Sequence, residues 1–357
     1  MHIGGTNGKG SVAVMVAETL RAEGRRTALY TSPHLVDVRE RMVVDGHPIA
    51  EATFTMWTER LRSVVEDCAA SFFEATTAIA FADFAARGAE VAVVEVGLGG
   101  RLDSTNVVTP LASAVTSVAR EHVEYLGDAL DGIAREKAGI AKAGRPFVIG
   151  EMDPALVDVL AGAARAAGAL PVVVPPDAAY AGPLGMEGRH QRRNAAIAIH
   201  VLNQLPPSLR PSRDTLAVGL ARARLPGRFD RRGRWIFDVA HNPTGMVTLC
   251  GALRDAAPQP PVHAVVGVLR DKDWREILRL LGEAVDRMWV TQPPSAPTER
   301  RWDPVEVGRV VPGVIVQLDL GRALEEAARD AGTTVVTGSF HTVGDAMTRL
   351  PGFRPFG

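Results

Sequence analysis

The residues best suited to chemistry stand at the start of the chain. Gly4-Gly5-Thr6-Asn7-Gly8-Lys9-Gly10-Ser11 precede an apolar helical pattern. Successive small residues let backbone N–H groups converge on phosphate oxygens, and the helix N-terminus behind them adds about half a positive charge. Lys9 supplies a compact ammonium for β/γ-phosphates and Ser11 a hydroxyl for Mg2+. The strict phosphate-loop pattern sets Lys beside Ser/Thr, whereas Gly10 separates them here. The competing reading is a generic glycine-rich turn. Thr31-Ser32-Pro33-His34 closes the next strand pattern, where Ser32 would reach a metal or phosphate. An ordinary Ser-Pro turn is the alternative.

Two more positions carry a charge where charge is costly. Glu95 interrupts Val91-Ala92-Val93-Val94-Glu95-Val96, just before Gly97-Leu98-Gly99-Gly100. A carboxylate in an apolar strand must be paired or coordinated. Its place near the strand end fits a Mg2+ ligand, and a hydrogen bond to the glycine-rich turn is the other reading. His122 follows a further strand at its carboxyl end. Lys137 lies in Arg135-Glu136-Lys137-Ala138-Gly139-Ile140. It reads as a solvated helix lysine or as an amine that reacts with CO2 to form a carbamate, a metal-binding carboxylate. A guanidinium is a much poorer candidate, being charged at all relevant pH.

These residues need strands to present them. Short β-branched runs at 27–30, 91–96, 112–118, 146–149 and 171–174 alternate with helical patterns at 11–23, 51–68, 72–87, 154–167 and 191–205. The alternation resumes after Pro226, with strands at 235–239, 263–268, 288–291, 314–318 and 334–337 and helices at 245–256, 273–285 and 321–331. This predicts an α/β chain with parallel sheets covered on both faces. Only Met1-His2-Ile3 stand before the phosphate loop, so the first strand is expected to be very short. Leu225-Pro226-Gly227 marks the boundary, giving domains 1–224 and 225–357. Residues 175–188 are expected to form a surface loop or small hairpin.

Composition closes off other classes. At about 150 residues per domain, 357 residues suit two domains. The 40 basic and 41 acidic side chains leave a net charge of −1, so no bulk charge calls for nucleic acid or a membrane surface. No apolar run reaches the roughly 18 residues that span a bilayer. The two cysteines, Cys68 and Cys250, fit no metal or disulfide spacing, which suits a cytoplasmic chain. Only four of the 40 basic residues are Lys: Lys9, Lys137, Lys142 and Lys272. Coding bias explains why lysine is rare, but not why Lys9 and Lys137 fall where an amine is needed.

Taken in order, the motifs resemble one family. They are Gly5 to Ser11, Thr31-Ser32-Pro33-His34, Glu95 to Asp103, His122 with Tyr125-Leu126-Gly127, Arg135 to Ile140, Leu225-Pro226-Gly227-Arg228, Asp238-Val239-Ala240-His241-Asn242-Pro243 and Gly267-Val268-Leu269-Arg270-Asp271-Lys272-Asp273. Each is weak alone, but eight in order are specific. The set resembles folylpolyglutamate synthase, with its bifunctional dihydrofolate synthase form, in the Mur ligase superfamily. The resemblance implies an N-terminal P-loop domain of the Mur ligase central type and a C-terminal Rossmann-like domain. It implies an ATP-dependent ligase that joins L-glutamate to folate, or to dihydropteroate, through an acyl phosphate. ATP and two Mg2+ sites would follow, in a monomer.

By the same resemblance, Thr6, Asn7, Gly8, Lys9, Gly10 and Ser11 bind ATP phosphates. Ser11, Ser32 and Glu95 match a first Mg2+ site, and Glu95, His122 and carbamylated Lys137 a second. Asn194 matches a nucleotide-contacting asparagine, Arg228 the hinge arginine that reaches ATP phosphates, and Asp238 and His241 the residues that hold ribose and adenine. Lys9, Lys137, His122 and Arg228 are thus the catalytic set. Phe73, Glu74 and Thr76, with Arg101 and Asp103, match positions near the pterin-side pocket. The chain departs from the family in two ways. Several tens of residues normally precede the loop and help bind dihydropteroate, so glutamylation is expected more firmly than dihydrofolate synthesis. The usual Asp-His-Thr is Glu121-His122-Val123, which alters the surroundings of the His. Two other readings stay open: a Mur-type ligase acting on a cell-wall precursor, and a non-catalytic nucleotide-binding paralogue.

Overall fold

The computed structural model describes residues 1–121, 123–350 and Phe353. It divides into two compact units. The first holds Met1–His34, Val38–Gly185 and Gln191–Arg224, and the second holds Leu35–Asp37, Met186–His190 and Leu225 onward. Two short segments earlier in the chain thus pack with the second unit.

The strands of the first unit are β1 (His2–Gly4), β2 (Thr27–Tyr30), β3 (Met42–Val44), β4 (His47–Pro48), β5 (Val91–Glu95), β6 (Ser113–Val115), β7 (Pro146–Ile149) and β8 (Leu170–Val173). They form one sheet in the order β4-β3-β2-β5-β1-β6-β7-β8. The short first strand lies inside it: His2 pairs with Val94 of β5 and with Ser113 of β6, both parallel. The expectation of purely parallel pairing is corrected at one edge. β3 runs antiparallel to β2 and β4 antiparallel to β3, a small hairpin too short to show a pattern in sequence. The expected strand at 112–118 is only β6, because the residues after Val115 leave the ladder to bond the phosphate loop.

The helix Lys9–Ala22 is buried along almost its whole length, with Val12, Ala13, Met15, Val16 and Leu20 at 5% exposure or less. Small and β-branched residues let it sit flat on the sheet. The helix Arg213–Arg222 packs across it at Gly219, where a Cβ would come within 2.3 Å of Thr19 Cα.

The second unit has β9 (Asp230–Arg232), β10 (Trp235–Phe237), β11 (Val262–Val266), β12 (Arg287–Val290), β13 (Ile315–Val316) and β14 (Thr333–Thr337). Their order is β13-β12-β11-β14-β10-β9, all parallel except β9 against β10. Helices such as Pro243–Ala256 and Leu320–Arg329 bury apolar faces on this sheet. Residues 175–188 form neither helix nor strand. Among the described residues no helix is long and apolar enough to cross a membrane.

Candidate active site

In the first unit, chain order reverses around β1, and ligands of such sheets bind beyond the strand carboxyl ends at that point. The glycine loop leaves β1 there. Gly5 and Gly8 have φ of 133° and 88°, open to glycine and strained for other residues. The loop is fastened to the chain beyond β6. Thr6 N–H donates to Ser117 O at 2.8 Å, Asn7 N–H to Ser117 Oγ at 3.1 Å, and Thr116 Oγ1 to Asn7 O at 2.6 Å. Ala119 N–H donates to Thr6 Oγ1 at 3.0 Å. Sequence reasoning passed over Thr116 and Ser117. Their signal is a hydroxyl pair directly after an apolar strand.

The first intrahelical bond of Lys9–Ala22 runs from Val12 N–H to Gly8 O, which leaves the N–H groups of residues 9–11 aimed out of the helix. No acidic side chain occupies that first turn. Lys9 Nζ donates to Thr6 O at 3.0 Å, folding its ammonium back over the loop. Asn194, on the helix Arg189–Asn203, closes the other wall: a Cβ on Gly8 would lie 2.7 Å from Asn194 Oδ1. This cradle of donors fits an anion such as a nucleotide phosphate. Gly8→Ala is expected to cost about 1–3 kcal/mol for its left-handed backbone alone. It should also displace Asn194 and weaken binding of a fluorescent ATP analogue more than about tenfold, which titration would read alongside the melting temperature.

The candidate metal residues come from three elements. Glu95 ends β5 beside Ile3 of β1, 3% exposed, and its Oε2 accepts from Ser32 N–H at 2.9 Å. Ser32 lies two residues past β2, and Ser11, 2% exposed, lies in the first helical turn. Two hydroxyls and one carboxylate are hard oxygen donors that fit Mg2+, which keeps water and phosphate among its ligands. No group of three or more His, Cys, Asp or Glu side chains is gathered for a metal among the described residues. His122 lies outside the described residues.

Lys137 sits on the helix Leu130–Ala138 and is 4% exposed, which overturns the solvated alternative. Burial pushes its ammonium down to about 7, Lys9 adds to the fall and Glu121 opposes it. Two glycines dock that helix. A Cβ on Gly100 would lie 2.7 Å from Glu136 O, and one on Gly139 would lie 2.3 Å from Arg101 Cβ.

The pterin-side positions divide. The Phe73 ring covers Gly97, where a Cβ would lie 2.4 Å from it. Thr76 is buried and bonds back to Phe72 O at 2.9 Å. Arg101 pairs with Glu136 at 2.9 Å and is more than half exposed. Asp103 holds the glycine loop from within, accepting from Leu98 N–H at 2.8 Å and Thr105 N–H at 2.9 Å. Glu74 is exposed and closes a capping box with Ser71 at the N-terminus of the helix Phe72–Ala86. Ser71 holds its carboxyl below the usual range.

In the second unit, Asp238 follows β10, 9% exposed, and accepts from Phe229 N–H at 2.8 Å and Ala240 N–H at 2.9 Å. Burial nevertheless pushes its carboxyl up. His241 Nδ1 bonds Val239 O at 2.8 Å. Phe340, which sequence reasoning missed, joins two of the expected residues. Its ring centroid is 5.7 Å from that of His241 and 4.9 Å from Arg228 Cζ. Its signal was an aromatic two residues after the glycine that ends a strand.

Comparison with known proteins follows this division. Residues 3–174 match the Mur ligase middle domain and residues 227–340 the Mur ligase glutamate ligase domain. A probable bifunctional folylpolyglutamate synthase/dihydropteroate synthase of Halobacterium salinarum is 35% identical over 98% of this chain, which spans about half (46%) of that relative. The dihydrofolate synthase/folylpolyglutamate synthase of Escherichia coli is 34% identical over 97% of the chain and 85% of its own length. The crystal structure of a bifunctional folylpolyglutamate synthase/dihydrofolate synthase from Yersinia pestis, complexed with AMPPNP and Mn ion, aligns with a TM-score of 0.87. It is 33% identical and covers 97% of this chain and 87% of its own.

Proposed function

The chain belongs to the folylpolyglutamate synthase/dihydrofolate synthase family of Mur ligases, and on that premise we propose that it is an ADP-forming ligase that adds L-glutamate to a folate carboxylate. One observation carries the reading: the phosphate loop and the Glu95–Ser32 pair stand at the carboxyl ends of β1, β2 and β5, and the charge of Lys9 in that loop acts on buried Lys137. The γ-phosphoryl group of ATP would pass to a carboxylate oxygen of the acceptor, leaving ADP. The glutamate amine would then displace phosphate from the acyl phosphate and lose a proton, giving the amide.

Such chemistry asks for position and charge neutralisation rather than a nucleophilic side chain. Lys9 and the free N–H groups of residues 9–11 hold the phosphates. Ser11, Ser32 and Glu95 would hold one Mg2+, and Glu95, His122 and Lys137 as its carbamate a second. Bound metal offsets charge on the transferring phosphoryl group. Phe73, Arg101 and Asp103 would shape the acceptor side and Asn194 would contact the nucleotide, while Arg228, Asp238 and His241 keep, within the second unit, the nucleotide roles that the resemblance gives them.

The protein with ATP, Mg2+, L-glutamate and tetrahydrofolate should yield ADP, phosphate and a folate longer by one glutamate, read by mass spectrometry. Dihydropteroate as the acceptor reads the second activity of the family. ADP with neither acceptor, or with a uridine-linked muramyl acceptor alone, would overturn the proposal.

A further inference from the structure

Arg41 is a buried cation that the proposed chemistry has not used. It ends a short 3-10 turn, Val38–Arg41, and is 7% exposed. Its Nε donates to His34 Nδ1 at 2.9 Å, and its Cζ stands 5.4 Å from the centroid of the Phe72 ring. Tyr30, Glu95 and Glu40 are the groups that favour its charge, and burial opposes it. Arg41 forms no ion pair with a carboxylate among the described residues. Guanidinium cannot escape burial by losing its proton, so a buried one without a carboxylate leaves a strong demand for an anion.

Its place in the sheet says which anion. Arg41 directly precedes β3, whose first residue, Met42, pairs with Tyr30, the last of β2. It therefore stands at the carboxyl edge of β2, on the same edge as Glu95. The phosphate loop leaves β1 on the other flank of β5, because the order runs β3-β2-β5-β1. Phosphates on the β1 side are already served by Lys9 and the helix N-terminus. On the ligase reading, a group across Glu95 from a terminal phosphate would be the one that receives it. His34 fixes the fork: with Nδ1 accepting from Arg41, its Nε2 carries the proton and is itself a donor.

We propose that Arg41, oriented by His34, binds the acceptor carboxylate that becomes phosphorylated. Arg41 would touch the reacting oxygens and is in that sense catalytic, while His34 is a positioning residue. The inference rests on the ligase reading above.

The test compares Arg41→Met, Arg41→Lys and His34→Leu with the wild-type protein. Each is assayed for the KM of the folate acceptor, ATP and L-glutamate. Calorimetry adds the binding of the acceptor and of an analogue whose reacting carboxylate is a neutral carboxamide. Arg41→Met should weaken the carboxylate acceptor about 10- to 100-fold while shifting the carboxamide and ATP by less than about twofold. Arg41→Lys keeps charge without the fork and should fall between. His34→Leu should move the acceptor KM the same way by a smaller factor, and serves if Arg41→Met does not fold. Equal weakening of carboxylate and carboxamide, an equal rise in the KM of ATP, or an unchanged acceptor KM would each overturn the inference. A wild-type protein that lengthens no folate fails earlier, at the ligase reading, and takes this inference with it.

Discussion

Replacing Lys137 with alanine should lower turnover by about 10²- to 10³-fold, the loss typical of a preorganised charge at a phosphoryl centre. The argument starts from burial. A lysine at 4% exposure with its ammonium brought down to about 7 holds a large share of neutral amine near neutrality. Neutral amine is the form that attacks CO2. Lys137→Arg should be as poor as Lys137→Ala, since guanidinium stays charged and forms no carbamate. A short carboxylate such as acetate or propionate should restore part of the Lys137→Ala activity. Bicarbonate should raise wild-type activity in CO2-depleted buffer. Absence of both effects would leave Lys137 as a structural amine.

The same shift has a sign in stability. Between about 7 and the ordinary lysine value of 10.5, the unfolded chain holds a proton that the folded chain lacks. Stability contributed by this group therefore rises with pH over that window and is lowest at and below about 7. Lys137→Met should melt above wild type near pH 7 in CO2-free buffer, with the gap closing as pH rises. Melting curves at several pH values read this directly.

Much of the scaffold is legible because its strands are apolar on both faces. Residues 91–96 were expected as a strand and β5 is Val91–Glu95, and β2 and β7 fall where the runs at 27–30 and 146–149 put them. The antiparallel hairpin was not legible, since three residues of β3 and two of β4 carry no period. The helix Phe340–Met347 lies beyond the last expected strand, at 334–337, and was missed as well.

The site was legible as a list of residue types, and less so as an arrangement. Glu95 stands out by its cost in an apolar strand, and it accepts from Ser32 N–H, a partner on another strand end that the sequence does not pair with it. Lys137 was ambiguous, because Leu-Asp-Gly-Ile-Ala-Arg-Glu-Lys-Ala is polar enough to be a surface helix. The close approach of Gly100 to the carbonyls of residues 136 and 137 docks its helix against a segment 36 residues earlier than Glu136, and that contact is not written in the local pattern. Arg41 was invisible for a similar reason. Val-Arg-Glu-Arg reads as a solvated charge run, and tertiary packing of Phe72 and His34 buries its last residue. Asp103 and Glu74 match pterin-side positions by motif alone, and the motif carries no sign of the backbone N–H groups of nearby residues that their carboxylates accept from.

Lys9→Ala is the second change with a large expected effect. The loop is held by Thr116, Ser117 and Ala119, whereas the Lys9 ammonium, among the described residues, bonds Thr6 O. Removing the side chain therefore leaves the loop backbone and helix in place, and the melting temperature should stay within a few degrees of wild type. The chemistry loses more. On the proposed reading the ammonium would reach the β/γ-phosphates as a point charge at the end of a flexible stem, free to follow charge as it builds on the transferring group. Lys9→Ala should cut kcat by about 10³-fold, with a smaller rise in the KM of ATP because residues 9–11 still offer their N–H groups. Lys9→Arg tests the requirement for an amine: guanidinium keeps the charge but replaces a compact point charge with a broad planar fork, so its kcat should recover little. A Lys9→Ala protein that keeps wild-type kcat would show that backbone donors alone carry the phosphates. A loss confined to the KM of ATP would make Lys9 a ground-state binder and place the stabilisation of the transferring group elsewhere in the site.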